Sequence, residues 1–127
     1  MNRTKSSLVL DSTAVIKYLQ NVLTLDDIGG NGCERYVSVI TRMEVLSYPD
    51  ITPDEEQCAL DFLSACIVIP LNLQVEKKAI QLRRSIKRRL PDSIVAATAV
   101  ILGITLLSHD PHLVKASWPG LTVVDKL

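Results

Sequence analysis

The stretch Leu90-Pro91-Asp92-Ser93-Ile94-Val95-Ala96-Ala97-Thr98-Ala99-Val100-Ile101-Leu102-Gly103-Ile104-Thr105-Leu106-Leu107-Ser108-His109-Asp110 decides the fold class. From Ser93 to His109 it is uncharged, which raises the question of a membrane span. A spanning helix needs about 20 consecutive apolar residues. This run is shorter, is broken by Gly103 and is bracketed by acids. It predicts a buried helix through Leu102 with Asp92 or Ser93 as its cap, a glycine stop, and a buried strand over Ile104-Thr105-Leu106-Leu107.

The same alternation continues on either side. Upstream, Val75, Ala79, Leu82, Ile86 and Leu90 recur at helical spacing, an amphipathic helix of about four turns that Pro91 should end. Downstream, Asp110-Pro111 starts a short turn, and Leu121 to Val124 is a final strand. At the other end, Ser7-Leu8-Val9-Leu10 is a short apolar strand that meets the polar triplet Asp11-Ser12-Thr13. From Thr13, the residues Ala14, Val15, Tyr18, Leu19 and Val22 have helical spacing, and Gly29-Gly30-Asn31-Gly32 is a loop by its turn residues. Arg35 to Ser38 reads as a strand, with Ser38 capping a helix that carries Ile40, Met43, Glu44 and Ser47 along one side and closes at Pro49. Thr52-Pro53-Asp54-Glu55 has the cap, early proline and acids of a helix start and leads to Ala59, Leu60 and Leu63. Cys66 to Pro70 is then a strand. Short apolar strands alternating with helices predict a three-layer α/β/α fold with a central, mostly parallel twisted sheet.

At 127 residues the chain fits a single domain over residues 1–127. An apolar share of 47% with 22% charged excludes a disordered or fibrous class. Fourteen basic and fourteen acidic residues cancel, so no global positive field draws in nucleic acid, and any such contact must be local. Cys33, Cys58 and Cys66 are odd in number and lack the spacing of a zinc site, which fits free thiols in a reducing compartment. Arg3 and Lys5 precede only Leu8, Val9 and Leu10 before Asp11 interrupts, too short for a signal peptide. A cytoplasmic protein with no membrane association is expected.

Four acids stand where such folds place their chemistry, at the carboxyl ends of strands and the helices that follow. Asp11 follows the first strand, Asp110 follows the apolar strand ending at Leu107, Asp92 opens the helix packed beside it, and Glu44 lies early on the helix after the second strand. Singly, each has an ordinary role: aspartate is a favoured helix cap, and Glu44 fits a solvated helix face. Together they repel, by about 4 kcal/mol per pair at 4 Å and an effective dielectric near 20. A cation resolves that conflict. Oxygen ligands favour a hard ion, and a site with few carboxylates suits Mg2+ or Mn2+, which activates water and stabilises charge developing on a phosphoryl oxygen.

At these residues the chain resembles the PIN-domain nucleases, especially the small toxins of VapC type found in toxin–antitoxin modules. Leu8-Val9-Leu10-Asp11-Ser12-Thr13-Ala14-Val15-Ile16 is similar to the family's opening strand, acid and helix. Glu44 within Ser38-Val39-Ile40-Thr41-Arg42-Met43-Glu44-Val45-Leu46 resembles its second acidic position. Leu90 to Ala99 is the most specific match, and Leu107-Ser108-His109-Asp110 resembles the last motif. The resemblance implies that Asp11 and Asp92 lead in ligating the metal, that Glu44 and Asp110 complete a catalytic acidic pocket, and that the Thr13 and Ser108 hydroxyls support it. It implies a PIN-like domain with endoribonuclease activity, dependent on Mg2+ or Mn2+, an RNA substrate, a cognate antitoxin and a homodimer. The chain departs from the family at His112, where another acid often stands, and at Leu113, where phenylalanine is common.

Lys77, Lys78, Arg83, Arg84, Lys87, Arg88 and Arg89 cluster just before Asp92. They read either as a solvated helix face or as phosphate contacts that position a backbone without reading sequence, with Arg83, Arg84, Lys87 and Arg88 as the nucleic-acid candidates. Tyr36 and Trp118 read as packing residues. His109 and His112 lack a distant partner for a histidine-based mechanism, and His109 reads as loop geometry. The replacement at His112 motivates an alternative, a noncatalytic PIN-like module that binds RNA or protein. A phosphoacceptor receiver domain would need a lysine near the end of a late strand, and Ile104 to Asp110 contains none.

Overall fold

A computed structural model describes residues 6–127; Arg3 and Lys5 lie outside the described residues. The chain runs β1 (Ser7–Leu10), α1 (Ser12–Leu19), β2 (Glu34–Ser38), α2 (Val39–Leu46), α3 (Pro53–Ser64), β3 (Ile67–Ile69), α4 (Leu73–Ile86), α5 (Leu90–Leu102), β4 (Leu106–Leu107), α6 (Pro111–Val114) and β5 (Val123–Val124). The strands form one sheet in the order β3-β2-β1-β4-β5, and every neighbouring pair is parallel.

Side-chain alternation along β1 and β4 divides the core into two layers. Leu8 and Leu10 of β1, with Leu107 of β4, join Ala14, Val15, Val45, Ala59 and Leu63 of α1, α2 and α3. Val9 and Leu106 face the other way, toward Val75, Ala79 and Leu82 of α4, Ile94 to Ala97 of α5, Leu113 and Trp118. Strands buried on both faces must be apolar throughout, which is why β1 and β4 look like short continuous apolar runs. The expected three-layer α/β/α architecture is present, and its sheet is entirely parallel. Among the described residues no helix is long and apolar enough to cross a membrane. The cysteines are free thiols, and burial pushes the Cys66 thiol up to about 11 against the opposing charge of Arg35.

Several boundaries and one helix face differ from the sequence expectation, among them α1, which ends at Leu19 short of Val22, and the last strand, which is limited to Val123–Val124. Pro91 does not end α4. It sits in the first turn of α5, where a missing N–H has no helical acceptor to lose. A proline ring clashes with the carbonyl four residues earlier in a continuous helix, and that residue is Lys87. The chain breaks there: α4 stops at Ile86, and Lys87 turns left-handed at φ 61° with its N–H on the Arg83 carbonyl. Leu90 therefore begins α5 and is 47% exposed. β4 is shorter than expected because the Ile104 N–H is used to close α5 onto Ala99 O at 3.2 Å, after Gly103 turns at φ 68°. On α2, Thr41 and Val45 face the core; Met43 is 58% exposed, and Glu44 and Ser47 are exposed as well. The side carrying the acid is therefore the open side. The helix starts at Ser38, Thr52 and Asn72 carry their expected or compatible caps, and α3 has the full Thr52–Glu55 capping box.

Trp118 is 5% exposed and donates its indole N–H to Leu113 O at 3.0 Å. It closes the layer beneath α4, α5 and α6. Trp118→Ala should lower unfolding free energy by about 3–5 kcal/mol through cavity formation. Val22→Ala, at a position 63% exposed and beyond the end of α1, should stay within about 0.5 kcal/mol of the parent. Urea unfolding followed by circular dichroism measures both.

Candidate acidic site

The sheet order reverses beside β1: the chain builds outward through β2 and β3, then crosses to β4 on the opposite side. Open parallel sheets form a crevice at such a switch, outside the carboxyl ends of the two strands. The register pairs Leu10 with Leu107, so Asp11 and Ser108 emerge side by side. Asp11 is 3% exposed. Its Oδ1 accepts from the Ala14 N–H at 2.9 Å, capping α1, and from the Thr13 hydroxyl at 2.7 Å; its Oδ2 accepts from the Ser108 hydroxyl at 2.5 Å.

Both hydroxyls are themselves aimed. Thr13 Oγ1 accepts the His109 N–H at 2.9 Å, and Ser108 Oγ accepts the Asp110 N–H at 3.0 Å. With a backbone donor behind each oxygen, the single hydroxyl proton points at Asp11. Burial still pushes the Asp11 carboxyl above its ordinary 3.8, with Ser108, Ala14 and Thr13 opposing and the neighbouring charge of Asp110 adding to the rise.

Asp92 differs from the expected cap. The cap position of α5 is Arg89, which makes no side-chain capping bond, and Asp92 lies inside the first turn, 7% exposed. Its Oδ2 and Oδ1 accept from Arg89 Nε at 3.3 Å and Nη2 at 3.4 Å. Asp110 does cap α6, accepting the His112 N–H at 2.9 Å, and its Oδ2 stands 3.8 Å from Arg89 Nη2. The guanidinium therefore spans two of the four acids. The hydrogen bond and charge of Asp92 raise the Arg89 pKa further above its ordinary value. Partial desolvation raises the Glu44 carboxyl, the charges of Asp92 and Asp11 add to it, and the Ser12 hydroxyl and Arg89 oppose it. Asp11, Glu44, Asp92 and Asp110 thus form one electrostatic neighbourhood.

The basic candidates sit apart from that neighbourhood's direct contacts. Arg83 and Arg84 occupy the last turn of α4, where positive charge also favours the helix C-terminus. Lys87 is the left-handed cap, and Arg88 is half-buried with its Nε lacking a partner. Among the described residues the ion pairs are those of Arg89 with Asp92 and Asp110. Arg89 was legible in the sequence as the i, i+3 partner of Asp92, although it is absent from the four nucleic-acid candidates. A second unanticipated contact is Lys17 Nζ to His109 Nδ1 at 2.9 Å. An ammonium only donates, so the ring nitrogen is the acceptor in this contact.

Among the described residues no group of three or more His, Cys, Asp or Glu side chains is arranged to hold a metal ion as it stands. The donor chemistry nevertheless fits a hard divalent cation: all the acids offer oxygen, they repel one another, and a positive group already stands between Asp92 and Asp110. The apolar cleft of about 200 Å³ between α1, α2 and α3, lined by Ile16, Leu19, Val45, Tyr48 and Cys58 among others, contains none of the four acids. The acidic site opens on the surface instead.

The raised Asp11 carboxyl sets a pH dependence. Its folded value lies above 3.8, so its contribution to stability is fully present below 3.8 and is lost as pH rises through the folded value. Asp11→Asn keeps an oxygen for the Ala14 N–H and does not titrate. Without divalent ions, the stability of Asp11→Asn relative to the parent should shift in the variant's favour between about pH 4 and about pH 7. Urea unfolding in the presence of a chelator checks the sign.

A family model described as "PIN domain" matches residues 8–119. Comparison with curated proteins returns no match. Among solved structures, VapBC2 from Rickettsia felis, bound to a DNA fragment from its promoter, aligns with a TM-score of 0.74 at 18% identity, covering 93% of this chain and 97% of that chain. DNA-bound VapBC from Salmonella typhimurium aligns at 0.74 and 17% identity, over 94% and 97% of the two chains. A toxin–antitoxin complex from Klebsiella pneumoniae aligns at 0.70 and 22% identity, over 91% and 95%. At such identities these neighbours establish a shared fold, and the family match spanning nearly all of the sheet and both helical layers establishes the rest: the chain belongs to the PIN-domain family.

Proposed function

We propose that the chain is a Mg2+- or Mn2+-dependent endoribonuclease that hydrolyses RNA phosphodiester bonds, the toxin of a toxin–antitoxin pair, with one nuclease domain over residues 1–127. The observation that carries this reading is the buried Asp11 carboxylate, held by two aimed hydroxyls in the β1–β4 crevice beside Asp92, Asp110 and Glu44. Asp11 and Asp92 would hold the ion, with Glu44 and Asp110 completing the site. The bound ion would supply an activated water and neutralise charge developing on the phosphoryl oxygen.

The chain's own residues divide the remaining work. Thr13 and Ser108 fix the Asp11 oxygens and oppose the effect of burial on the carboxylate. Asp92, anchored in the first turn of the buried helix α5, gives the site a second rigid wall. A carboxylate held on packed elements loses little freedom on ligation, which favours a well-ordered site. Arg83, Arg84, Lys87 and Arg88 supply local positive charge for a polymeric phosphate backbone, while the whole chain stays neutral.

The solved neighbours are VapBC or toxin–antitoxin complexes by name, which supports a cognate antitoxin as partner, with a homodimer and a cytoplasmic location as further parts of the proposal. One observation favours a second reading, a noncatalytic PIN-like module binding RNA or protein: among the described residues no three candidate ligands stand ready around a metal. Asp11→Asn and Asp92→Asn should stay folded by circular dichroism and lose Mn2+-dependent RNA cleavage by more than about 100-fold, since even residues behind the ligands commonly cost 10- to 100-fold. Cleavage retained in both variants would overturn the nuclease assignment, and absence of Mn2+ binding by calorimetry at millimolar ion would favour the binding module.

A further inference from the structure

Arg89 has a fixed base and a free arm. Its carbonyl is held by the Ser93 N–H at 3.0 Å and the Ser93 hydroxyl at 3.2 Å, so the backbone at the start of α5 is anchored. Its side chain is 68% exposed, whereas those of Asp92 and Asp110, which it contacts, are only 9% and 16% exposed. An arm lying mostly in water thus places its charge on two shielded carboxylates.

The contacts are loose. Charge-assisted N–H···O bonds usually measure about 2.7–2.9 Å, while these are 3.3 and 3.4 Å to Asp92 and 3.8 Å to Asp110. An ion pair with one exposed partner is cheap to break. A divalent ion draws carboxylate oxygens to roughly 2.0–2.1 Å, and a guanidinium bridging the same oxygens would be repelled by it. Charge repulsion sets the two cations in competition for Asp92 and Asp110. The arm is 68% exposed, so it can leave toward solvent without moving α5.

We propose that Arg89 is a resident counter-cation of the acidic site: it competes with the divalent ion for Asp92 and Asp110 and, once displaced, turns outward to contact a backbone phosphate of the RNA. The proposal rests on the metal-dependent nuclease reading and goes beyond it, giving one side chain two alternating partners.

Calorimetric titration of the full chain with Mn2+ tests the first half. Arg89→Gln, which keeps a polar arm and removes the charge, should bind Mn2+ about 10-fold more tightly, and Arg89→Lys, which keeps the charge, should stay near the parent. Fluorescence anisotropy with a 2′-O-methylated oligoribonucleotide in Mg2+ tests the second half. Arg89→Gln should bind it several-fold more weakly, and the magnitude of its salt slope should fall by about 0.7, the value for one lost contact to a single strand. In the parent protein, independent of any variant's folding, the Arg89 Nε–H resonance should shift on Mg2+ addition as its carboxylate contact breaks. Mn2+ binding that is no tighter in Arg89→Gln, an Nε–H signal unmoved at saturating Mg2+, or unchanged RNA affinity would each overturn the exchange while leaving the nuclease reading standing. Failure of the parent and the variant alike to bind Mn2+ would overturn both.

Discussion

A carboxylate at the end of the central strand, almost out of reach of water, is the constraint around which the site is organised. A buried charge is tolerated only when hydrogen bonds replace its hydration. Asp11 receives them from three places: the first turn of its own helix, the Thr13 hydroxyl, and Ser108 from beyond β4. The last donor is 97 residues away in sequence. It reaches Asp11 only if β1 and β4 pair in parallel and in the observed register. The requirement to solvate one acid therefore ties the first strand to the fourth and gives the crevice its shape.

The same arrangement explains why the other acids can approach. Asp92 is carried on a helix buried on nearly every side, enclosed by α4, α6, α2 and the sheet, so its position is set by packing rather than by capping. Asp110 is placed by the chain that leaves β4 and by its cap of α6. Glu44 projects from the open side of α2. Carboxylates gathered this way raise one another's energy, and the two whose pKa values are raised, Asp11 and Glu44, each feel at least one other member of the set. Arg89 relieves part of that repulsion with a charge drawn from the exposed surface.

Much of this was legible in the residues. The first strand, the caps at Asp11, Ser38, Thr52 and Asp110, and the glycine stop at Gly103 follow from local chemistry and stand as the sequence predicts, while of the strand expected from Ile104 only Leu106–Leu107 forms. Where the reading failed, a longer-range condition intervened. Pro91 is compatible with the end of one helix and the start of the next, and the steric clash with residue 87 selects the start. Asp92 has the composition of a cap, but Arg89 takes that position and leaves the carboxylate free to face its neighbours. Met43 has helical spacing with Ile40 and Glu44, yet the inward face of α2 is chosen by Thr41 and Val45 against the sheet.

The sequence by itself determined the element types and the layered α/β class, because propensity, capping and side-chain period act over only a few residues. Tertiary structure alone decided which carboxylate is buried, which hydroxyl points at it, and that the Arg89 guanidinium reaches Asp110 as well as its local partner Asp92. Those outcomes depend on strand register and helix packing, which bring together groups distant along the chain. The electrostatic cost of assembling them exists only once they are within a few ångströms of each other.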